Sequence, residues 1–229
     1  APHMAISIDG DATTWMWNFN TPATEICGIR DNLYASAYHT KTQPEVLIIG
    51  LGGGNDLRTA AHYRSRRVVG VELNPLIVEV LTGEFTDFVD NIAHDPNMEI
   101  HVGEGRSFVR RNPDKYDIIQ MSGVDTWSGL SSGAYVLSEN YLYTVEAFHD
   151  YMDHLKNDGV LAVVRWYFQP PREMLRMLSV GTTVLRERGS DAPWNHIIVM
   201  VSGDFCATLF KKTPWTQSEL AKYTWYDRY

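Results

Sequence analysis

Short apolar runs rich in branched residues alternate along the chain with more polar stretches that favour helices. A run of this kind, bounded by turn residues, is typical of a buried strand. Because repeated β–α alternation produces a parallel sheet with helices on both faces, we predict an α/β, doubly wound, mostly parallel sheet of about seven strands. The predicted strands cover residues 46–49, 67–73, 98–102, 115–121, 160–164, 196–201 and 205–210, and the predicted helices lie near 29–39, 55–64, 75–81, 108, 145–155 and 171–187.

The N-terminal part of the chain has a different pattern. Two β-prone runs flank Asp9-Gly10-Asp11, a turn sequence, and predict a small β-hairpin. We therefore divide the chain into an extension at residues 1–43, formed by the hairpin and a helix, and a main domain at residues 44–229. Residues 1–3 precede Met4 and are interpreted as a cloning remnant, so we expect the chain to come from a longer protein.

The strand at 46–49 runs directly into a glycine-rich segment. Glycine allows a positive φ and leaves no Cβ in the way of a ligand, so we expect the backbone to approach one closely here. The next strand ends in Glu72, and an acid at that point accepts hydrogen bonds from ribose hydroxyls in doubly wound folds. These features predict a nucleoside-cofactor site, and the alternative is a tight turn that binds nothing. The glycines expected to bind the cofactor are Gly50, Gly52, Gly53 and Gly54.

The glycines are spaced more closely than in the G-x-G-x-x-G that seats a pyrophosphate on a helix N-terminus. Asp56 lies near the start of the next predicted helix. Its negative charge suits the helix dipole and complements a cationic ligand better than a pyrophosphate. S-adenosylmethionine carries a sulfonium and an ammonium group, so we expect it as the cofactor, with Asp56 among the residues that bind it.

Charge and composition limit the partners. The formal net charge is −8 and no basic cluster is larger than that at 64–67, so a nucleic-acid partner is not expected. No apolar run reaches the ~18–20 residues that cross a bilayer, and the histidines lack metal-site spacing, so we expect neither membrane contact nor a metal. Two isolated cysteines fit a reducing compartment. We expect a cytoplasmic protein or a cytoplasmic domain of a longer, membrane-attached one.

Together these residues resemble the class I S-adenosylmethionine-dependent methyltransferase fold and, within it, the spermidine synthase-like branch. The resemblance spans about residues 6–200 and implies that the main domain is Rossmann-like and binds S-adenosylmethionine. It implies that Glu72 holds the ribose and that Glu104 and Gly105 hold the adenine amino group. It also implies a homodimer formed through the N-terminal region. The residues that carry the resemblance are 8–10, 47–54, 71–73, 103–108, 115–119 and 139–148.

Two positions depart from the spermidine synthase pattern. Spermidine synthases carry an aspartate in the glycine loop that binds the amine end of decarboxylated S-adenosylmethionine, and Gly53 takes that position here. They also carry Asp-Ser-Ser/Thr-Asp-Pro after the fourth strand, where the first aspartate deprotonates the attacking amine. In this chain Ser122, which we expect to contact the cofactor, replaces the first acid, and Asp125 retains the second.

These departures shape the expected function. A carboxylate that deprotonates the attacking amine contributes ~10²–10⁴ in rate, and the glycine loop without its acid is expected to tolerate the carboxylate of intact S-adenosylmethionine. We therefore predict a spermidine synthase-like transferase that moves a methyl or other alkyl group from the sulfonium to a small acceptor, in the first instance an amine. The alternatives are a polyamine aminopropyltransferase that uses decarboxylated S-adenosylmethionine and a non-catalytic nucleoside-binding domain of a larger protein.

The acceptor is expected at the long loop 123–137, which leaves the carboxyl end of the fourth strand. Open α/β sheets bind ligands at that edge. Asp125 is the candidate catalytic residue, as base or amine anchor, and a cover loop with no chemistry is the alternative. The candidate acceptor-binding residues are Trp127, Tyr135, Glu139, Tyr143 and Trp166.

Overall fold

The structure is a computed structural model and describes residues 3–8, 12–20, 32–124 and 141–223. Within these ranges most elements begin and end close to the positions that the sequence predicts. The strands are β1 His3–Ile8, β2 Ala12–Trp17, β3 Glu45–Ile49, β4 Arg67–Glu72, β5 Met98–Val102, β6 Tyr116–Ser122, β7 Leu155–Trp166, β8 Ile197–Ser202 and β9 Phe205–Lys211. The helices are α1 Asn55–His62, α2 Pro75–Thr82, α3 Gly105–Arg111, α4 Val145–His154, α5 Arg172–Glu187 and α6 Gln217–Leu220, with 3₁₀ helices at Leu33–Thr40, Ile92–His94 and Pro193–His196.

Strands β3 to β9 form one sheet in the order β5-β4-β3-β6-β7-β9-β8, and β1 pairs with β2 in a separate antiparallel sheet. The pairs among β5, β4, β3, β6 and β7 are parallel, whereas β9 is antiparallel to both of its neighbours. The predicted α/β fold, with a mostly parallel seven-stranded sheet and an N-terminal hairpin, is therefore confirmed.

Side chains of β3 alternate between two apolar cores, one on each face of the sheet. Val46 and Ile48 share a core with residues of α1, α2 and the 3₁₀ helix Leu33–Thr40. Leu47 and Ile49 share the other core with residues of α3, α4 and α5. Successive side chains of a strand point to opposite faces. A strand that is covered on both faces is therefore apolar at every position, as this run is.

The order of the strands reverses at β3. Its neighbour β4 follows it directly in the chain, whereas its other neighbour, β6, comes only after β4 and β5. Such a switch point leaves a crevice outside the carboxyl ends of the two strands, where open α/β sheets bind ligands. Residues 50–54, which we call the glycine loop, follow β3 at this edge, and Ser122 ends β6 there.

The N-terminal hairpin packs onto the face of the sheet that carries α1. Met16 of β2 is 1% exposed and Phe19 is 7% exposed, and both belong to the same core as Leu57 of α1. The backbone N–H of Phe19 also donates to the carbonyl oxygen of Phe88 at 3.0 Å. The extension thus shares a core with the main domain, and the boundary after residue 43 stays a prediction.

Two elements differ from their predicted form. The described part of the helix expected at 29–39 is the 3₁₀ helix Leu33–Thr40, which begins where the Asn32 side chain accepts a hydrogen bond from the Tyr34 N–H. Strand β7 begins at residue 155 instead of 160, because its first residue already pairs with the start of β6 before the register shifts. Asp158 and Gly159 therefore lie within β7, at the irregularity in its pairing with β6.

Helix α5 packs closely against β9. Gly181 of α5 is buried, and a Cβ at this position would overlap the ring of Phe210 on β9. That ring in turn contacts Phe148 of α4, with ring centroids 5.4 Å apart. Helix α5 has 16 residues, and no helix in the described ranges is both long and apolar enough to cross a bilayer.

We expect Gly181→Ala to lower the free energy of unfolding by about 1–2 kcal/mol. Overpacking a core costs about 1–3 kcal/mol, and the overlap with a packed aromatic ring puts this substitution in the upper part of that range, about 2–3 kcal/mol. Alanine's better helix propensity offsets about 1 kcal/mol of that cost. Urea unfolding measures the difference from the parent protein. Gly103→Ala is the control, because nothing lies within 4 Å of a Cβ at that position. A Gly181→Ala protein as stable as this control would contradict the close packing of α5 on β9.

Candidate functional site

The loops after β3 and β6 begin side by side at the carboxyl edge of the sheet. The N–H of Gly50 donates to the carbonyl oxygen of Val71 at 2.8 Å, and the N–H of Gly123 donates to that of Val164 at 2.9 Å. These bonds continue the pairing of the strands past their ends. They therefore fix where each loop leaves the sheet.

The carboxylate of Glu72 binds the glycine loop directly. Its Oε2 accepts hydrogen bonds from the N–H groups of Leu51 at 2.8 Å and Gly52 at 3.4 Å, and its Oε1 accepts one from the N–H of Asn74 at 2.9 Å. Glu72 is only 9% exposed, and a buried carboxylate is stable only when such donors replace water. The predicted ribose-binding acid and the predicted cofactor loop therefore form one unit.

Positive φ angles explain why the loop uses glycine. Gly50 and Gly54 have φ angles of +81°, and Gly52 has one of +47°, a region that side-chain-bearing residues rarely adopt. The loop closes with a hydrogen bond from the Gly54 N–H to the Leu51 carbonyl oxygen at 2.9 Å. Gly54 is also the N-cap of α1, so the loop leads directly into that helix.

Strand β2 covers the glycine loop on one side. The Gly53 N–H donates to Thr14 Oγ1 at 3.3 Å, and the side-chain amide of Asn55 donates to the Trp15 carbonyl oxygen at 2.9 Å. A Cβ at position 53 would overlap that carbonyl oxygen and would lie 2.9 Å from the Met16 Cα. Glycine is therefore the residue that fits here. The hairpin thus gives glycine a structural reason at this position, and the expected tolerance for the carboxylate of intact S-adenosylmethionine stays a prediction.

Asp56, in the first turn of α1, belongs to a buried polar cluster with two residues of β6. Gln120 Nε2 donates to Asp56 Oδ1 at 2.9 Å and to the Tyr34 carbonyl oxygen at 3.0 Å, and it lies 3.1 Å from Ser122 Oγ. The Ser122 hydroxyl also hydrogen-bonds the Asp56 carboxylate. Asp56 is 5% exposed. The cluster links the helix that follows the glycine loop to the tip of β6.

Burial raises the pKa of Asp56 to about 7, and the hydrogen bond from Ser122 opposes that rise. Removal of a carboxylate from water favours its neutral, protonated form. Burial also raises the pKa of Tyr38 well above its ordinary value, with a further contribution from the Asp56 charge. Asp56 therefore exchanges a proton near neutral pH, whereas Tyr38 stays protonated.

Glu104 and Gly105 have structural roles at the start of α3. The Glu104 carboxylate accepts hydrogen bonds from the N–H groups of Arg106 at 2.9 Å and Ser107 at 2.7 Å, which caps the helix. Gly105 lies so close to β3 that a Cβ there would overlap the Ile49 side chain. Their contact with the adenine amino group stays a prediction.

Tyr143 and Arg165 anchor the end of the described segment after β6. The Tyr143 hydroxyl donates to the Val124 carbonyl oxygen at 3.0 Å, and Arg165 Nη1 donates to the same oxygen at 3.2 Å. The guanidinium lies 4.6 Å from the centroid of the Tyr143 ring. Because Tyr143 is 3% exposed, its visible role is structural, and its contact with an acceptor stays a prediction.

Trp166, the last residue of β7, belongs to an aromatic group at the carboxyl edge. Its ring stacks on Phe205, with centroids 4.3 Å apart, and lies 6.1 Å from that of Phe168. The Phe205 ring lies 6.5 Å from the ring of Tyr34, whose carbonyl oxygen binds Gln120. The aromatic group therefore adjoins the Asp56 cluster, and the faces of such rings attract cations.

The structure brings the glycine loop, Asp56, Glu72 and Ser122 to one edge of the sheet, as their predicted cofactor role requires. No group of three or more His, Cys, Asp or Glu side chains in the described ranges is placed to hold a metal ion. The predicted residues that lie outside the described residues are Asp125, Trp127, Tyr135 and Glu139.

Sequence reasoning missed three residues of the site. The sequence could have indicated Gln120, because an amide among the apolar residues of a buried strand needs a buried hydrogen-bond partner. It could not have indicated Thr14 and Phe205, because the tertiary fold alone places one beside the glycine loop and the other on Trp166.

A family model described as the spermine/spermidine synthase domain matches residues 30–179, more than half of the chain. Polyamine aminopropyltransferase 2 of Pseudomonas aeruginosa is 31% identical over 120 residues, which are 52% of this chain and 32% of that protein. Polyamine aminopropyltransferase of Clostridium perfringens is 31% identical over 117 residues, 51% of this chain and 38% of that protein. The alignments thus span well under half the length of these relatives.

Solved structures share the fold. Spermidine synthase from Thermotoga maritima gives a TM-score of 0.60 at 20% identity, covering 81% of this chain and 59% of that chain. A spermidine synthase in complex with the transition state analogue AdoDATO gives a TM-score of 0.60 at 19% identity, and the match covers 94% of this chain and 67% of that chain. Human methyltransferase-like protein 13 in complex with SAH gives a TM-score of 0.59 at 17% identity, and the match covers 85% of this chain and 87% of that chain.

We expect the raised pKa of Asp56 to make the protein less stable as pH increases. Between the ordinary aspartate pKa and about 7, the folded state holds a proton that the unfolded state has released, so stability falls across that window. The loss is on the order of 4 kcal/mol for this group. Asp56→Asn should remove it, so the variant gains stability relative to the parent between pH 5 and pH 8.

Urea unfolding at both pH values measures this difference. Asp191→Asn, the same chemical change at an exposed position, should follow the parent protein at each pH. Parallel pH dependences for the parent and Asp56→Asn would contradict the raised pKa.

Proposed function

Since the chain belongs to the spermine/spermidine synthase domain family, we propose that its carboxyl-edge site transfers an aminopropyl group from decarboxylated S-adenosylmethionine to a small amine. Glu72 carries the proposal, as a buried carboxylate that binds the N–H groups of the glycine loop. In doubly wound folds an acid at this position binds the ribose hydroxyls of a nucleoside. The names of the relatives, polyamine aminopropyltransferases, favour the aminopropyl group over a methyl group.

The reaction makes three demands that this site supports. The lone pair of the amine attacks the carbon next to the sulfonium, and the C–N bond forms as the C–S bond breaks. The amine must be unprotonated, and donor and acceptor must be held in line. The cationic groups also need compensating charge. Asp56 supplies a buried carboxylate behind the tip of β6, and Trp166 with its stacked neighbours supplies ring faces that attract a cation.

The rest of the site is proposed from the resemblance. Asp125 anchors the ammonium group of the acceptor, and Glu104 and Gly105 bind the adenine. A homodimer, a cytoplasmic location and a small-molecule acceptor in place of nucleic acid complete the proposal. The side chains proposed to border the acceptor are Trp127, Tyr135, Glu139, Tyr143 and Trp166.

Transfer of a methyl or other alkyl group from intact S-adenosylmethionine is the second candidate. Gly53 favours it, because a glycine supplies no carboxylate for the amine end of the decarboxylated donor. The contact with β2 gives Gly53 a structural reason of its own, so this candidate ranks second.

Calorimetric titration with the two donors tests the proposal. We expect decarboxylated S-adenosylmethionine to bind more tightly than the intact form. Glu72→Gln should weaken binding of either donor about 10–100-fold, since a hydrogen bond to a charged group is worth about 1.5–3 kcal/mol. Glu79→Gln, at an exposed position of the adjacent helix α2, is the matched control and should bind as the parent does.

Release of methylthioadenosine in the presence of putrescine then tests transfer. Tighter binding of the intact donor would support the second candidate. Donor binding without release, across a panel of diamines, would indicate a non-catalytic nucleoside-binding domain. Binding of neither donor would contradict the cofactor site itself.

A further inference from the structure

The tip of β6 carries a hydroxyl where the spermidine synthase pattern has its proton-accepting aspartate, but a carboxylate stands directly behind it. Ser122 hydrogen-bonds Asp56 of α1. On the basis of the proposed function, we infer that these two residues form the proton-accepting end of the acceptor site. Ser122 contacts the attacking amine, and Asp56 receives the proton through Ser122. The carboxylate is thus supplied by α1 instead of β6.

Gln120 fixes the direction of this relay. Its Nε2 has two hydrogens, and the carboxylate and carbonyl acceptors near it are Asp56 Oδ1 at 2.9 Å and the Tyr34 carbonyl oxygen at 3.0 Å. An amide nitrogen only donates, so Ser122 Oγ, 3.1 Å from Nε2, accepts from Gln120, and the serine's own hydrogen is left for the Asp56 carboxylate. The hydroxyl therefore points its proton at Asp56, as a relay requires.

Burial decides which member of the pair meets the ligand. Ser122 is half-buried at the end of β6, whereas Asp56 is 5% exposed. A ligand in the crevice between β3 and β6 reaches the hydroxyl first. Asp56 consequently acts through Ser122 and touches neither donor nor acceptor itself.

The surroundings of Asp56 suit a proton acceptor. Burial, the largest influence, places its pKa at about 7, so the ionised carboxylate is a stronger base than an exposed aspartate. Tyr38, from the 3₁₀ helix Leu33–Thr40, is the titratable group that faces it, and the raised pKa of Tyr38 keeps that phenol neutral. Strand β6 contributes the uncharged amide of Gln120 and hydroxyl of Ser122.

The proton and electron count closes without a further reactant. Ser122 Oγ takes a proton from the acceptor's ammonium group as its own proton passes to the Asp56 carboxylate. The products are a neutral amine, an intact serine and a carboxylic acid. The amine lone pair then forms the C–N bond while the C–S electrons return to sulfur. Asp56 releases its proton to solvent after the products leave, and the new secondary amine stays protonated.

The test is the pH dependence of methylthioadenosine release from decarboxylated S-adenosylmethionine and putrescine between pH 5.5 and 9. The kcat of the parent protein should rise with pH, and the rise should follow an apparent pKa near 7. Asp56→Asn should lose this pH-dependent rise, and its kcat should fall on the order of 10²-fold, with the KM for the donor little changed. Ser122→Ala should lower kcat in the same way, and Asp191→Asn should behave as the parent. Asp56→Asn with the parent's pH-dependent rise or kcat would overturn the inference.

A second measurement separates this inference from the proposed function. Failure of the parent protein to release methylthioadenosine would contradict the proposed function alone. Putrescine is then titrated into protein saturated with methylthioadenosine, near pH 6.5, in buffers of different ionisation enthalpy. The parent should release more protons on binding than Asp56→Asn, because the bound dication favours the ionised carboxylate. Equal proton release, or no putrescine binding, would overturn the inference, and unchanged methylthioadenosine affinity shows that the variant is folded.

Discussion

The hydrogen bonds between the Glu72 carboxylate and the N–H groups of the glycine loop are the interaction on which the site depends. They join the tip of β4 to the loop after β3, so the loop has one position at the switch point of the sheet. Because the loop ends in Gly54, the N-cap of α1, the same bonds fix where α1 begins. The start of α1 in turn places Asp56 against the tip of β6. A single buried carboxylate thus aligns elements from three parts of the chain.

The strands of the sheet can be predicted from the local sequence pattern, whereas the irregular elements cannot. A strand buried on both faces must be apolar at successive positions, so an apolar run such as 46–49 predicts a buried strand. The early start of β7 at Leu155 depends on its pairing with Tyr116, a contact with a strand nearly forty residues earlier. The 3₁₀ helix Leu33–Thr40 packs against strands of the sheet and against α1. Such long-range contacts leave no periodic trace in the sequence.

In the candidate site, too, some residues are predictable from the local sequence and others are brought together only by the tertiary fold. Glu72 and the glycine loop were predictable because strand, glycines, helix, strand and acid follow one another within a short stretch. The contact of Asp56 with Gln120 joins residues 64 positions apart, so the sequence indicated the acid without its partner, and the cofactor role predicted for Asp56 stays a prediction. For a related reason the sequence did not indicate the second neighbour of Gly53: its lack of a side chain was explained by a ligand, and the backbone of β2 also requires it.

The contact between β2 and Gly53 also bears on how such a chain changes over generations. An aspartate introduced at position 53 would collide with the hairpin, so mutation of that single codon meets a steric barrier wherever the hairpin is docked. The hairpin would have to retreat first, and that would expose Met16 and Phe19, which the core now buries. A side chain at position 53 and a docked hairpin therefore exclude each other, so an acid could be accepted there only after a change in the hairpin.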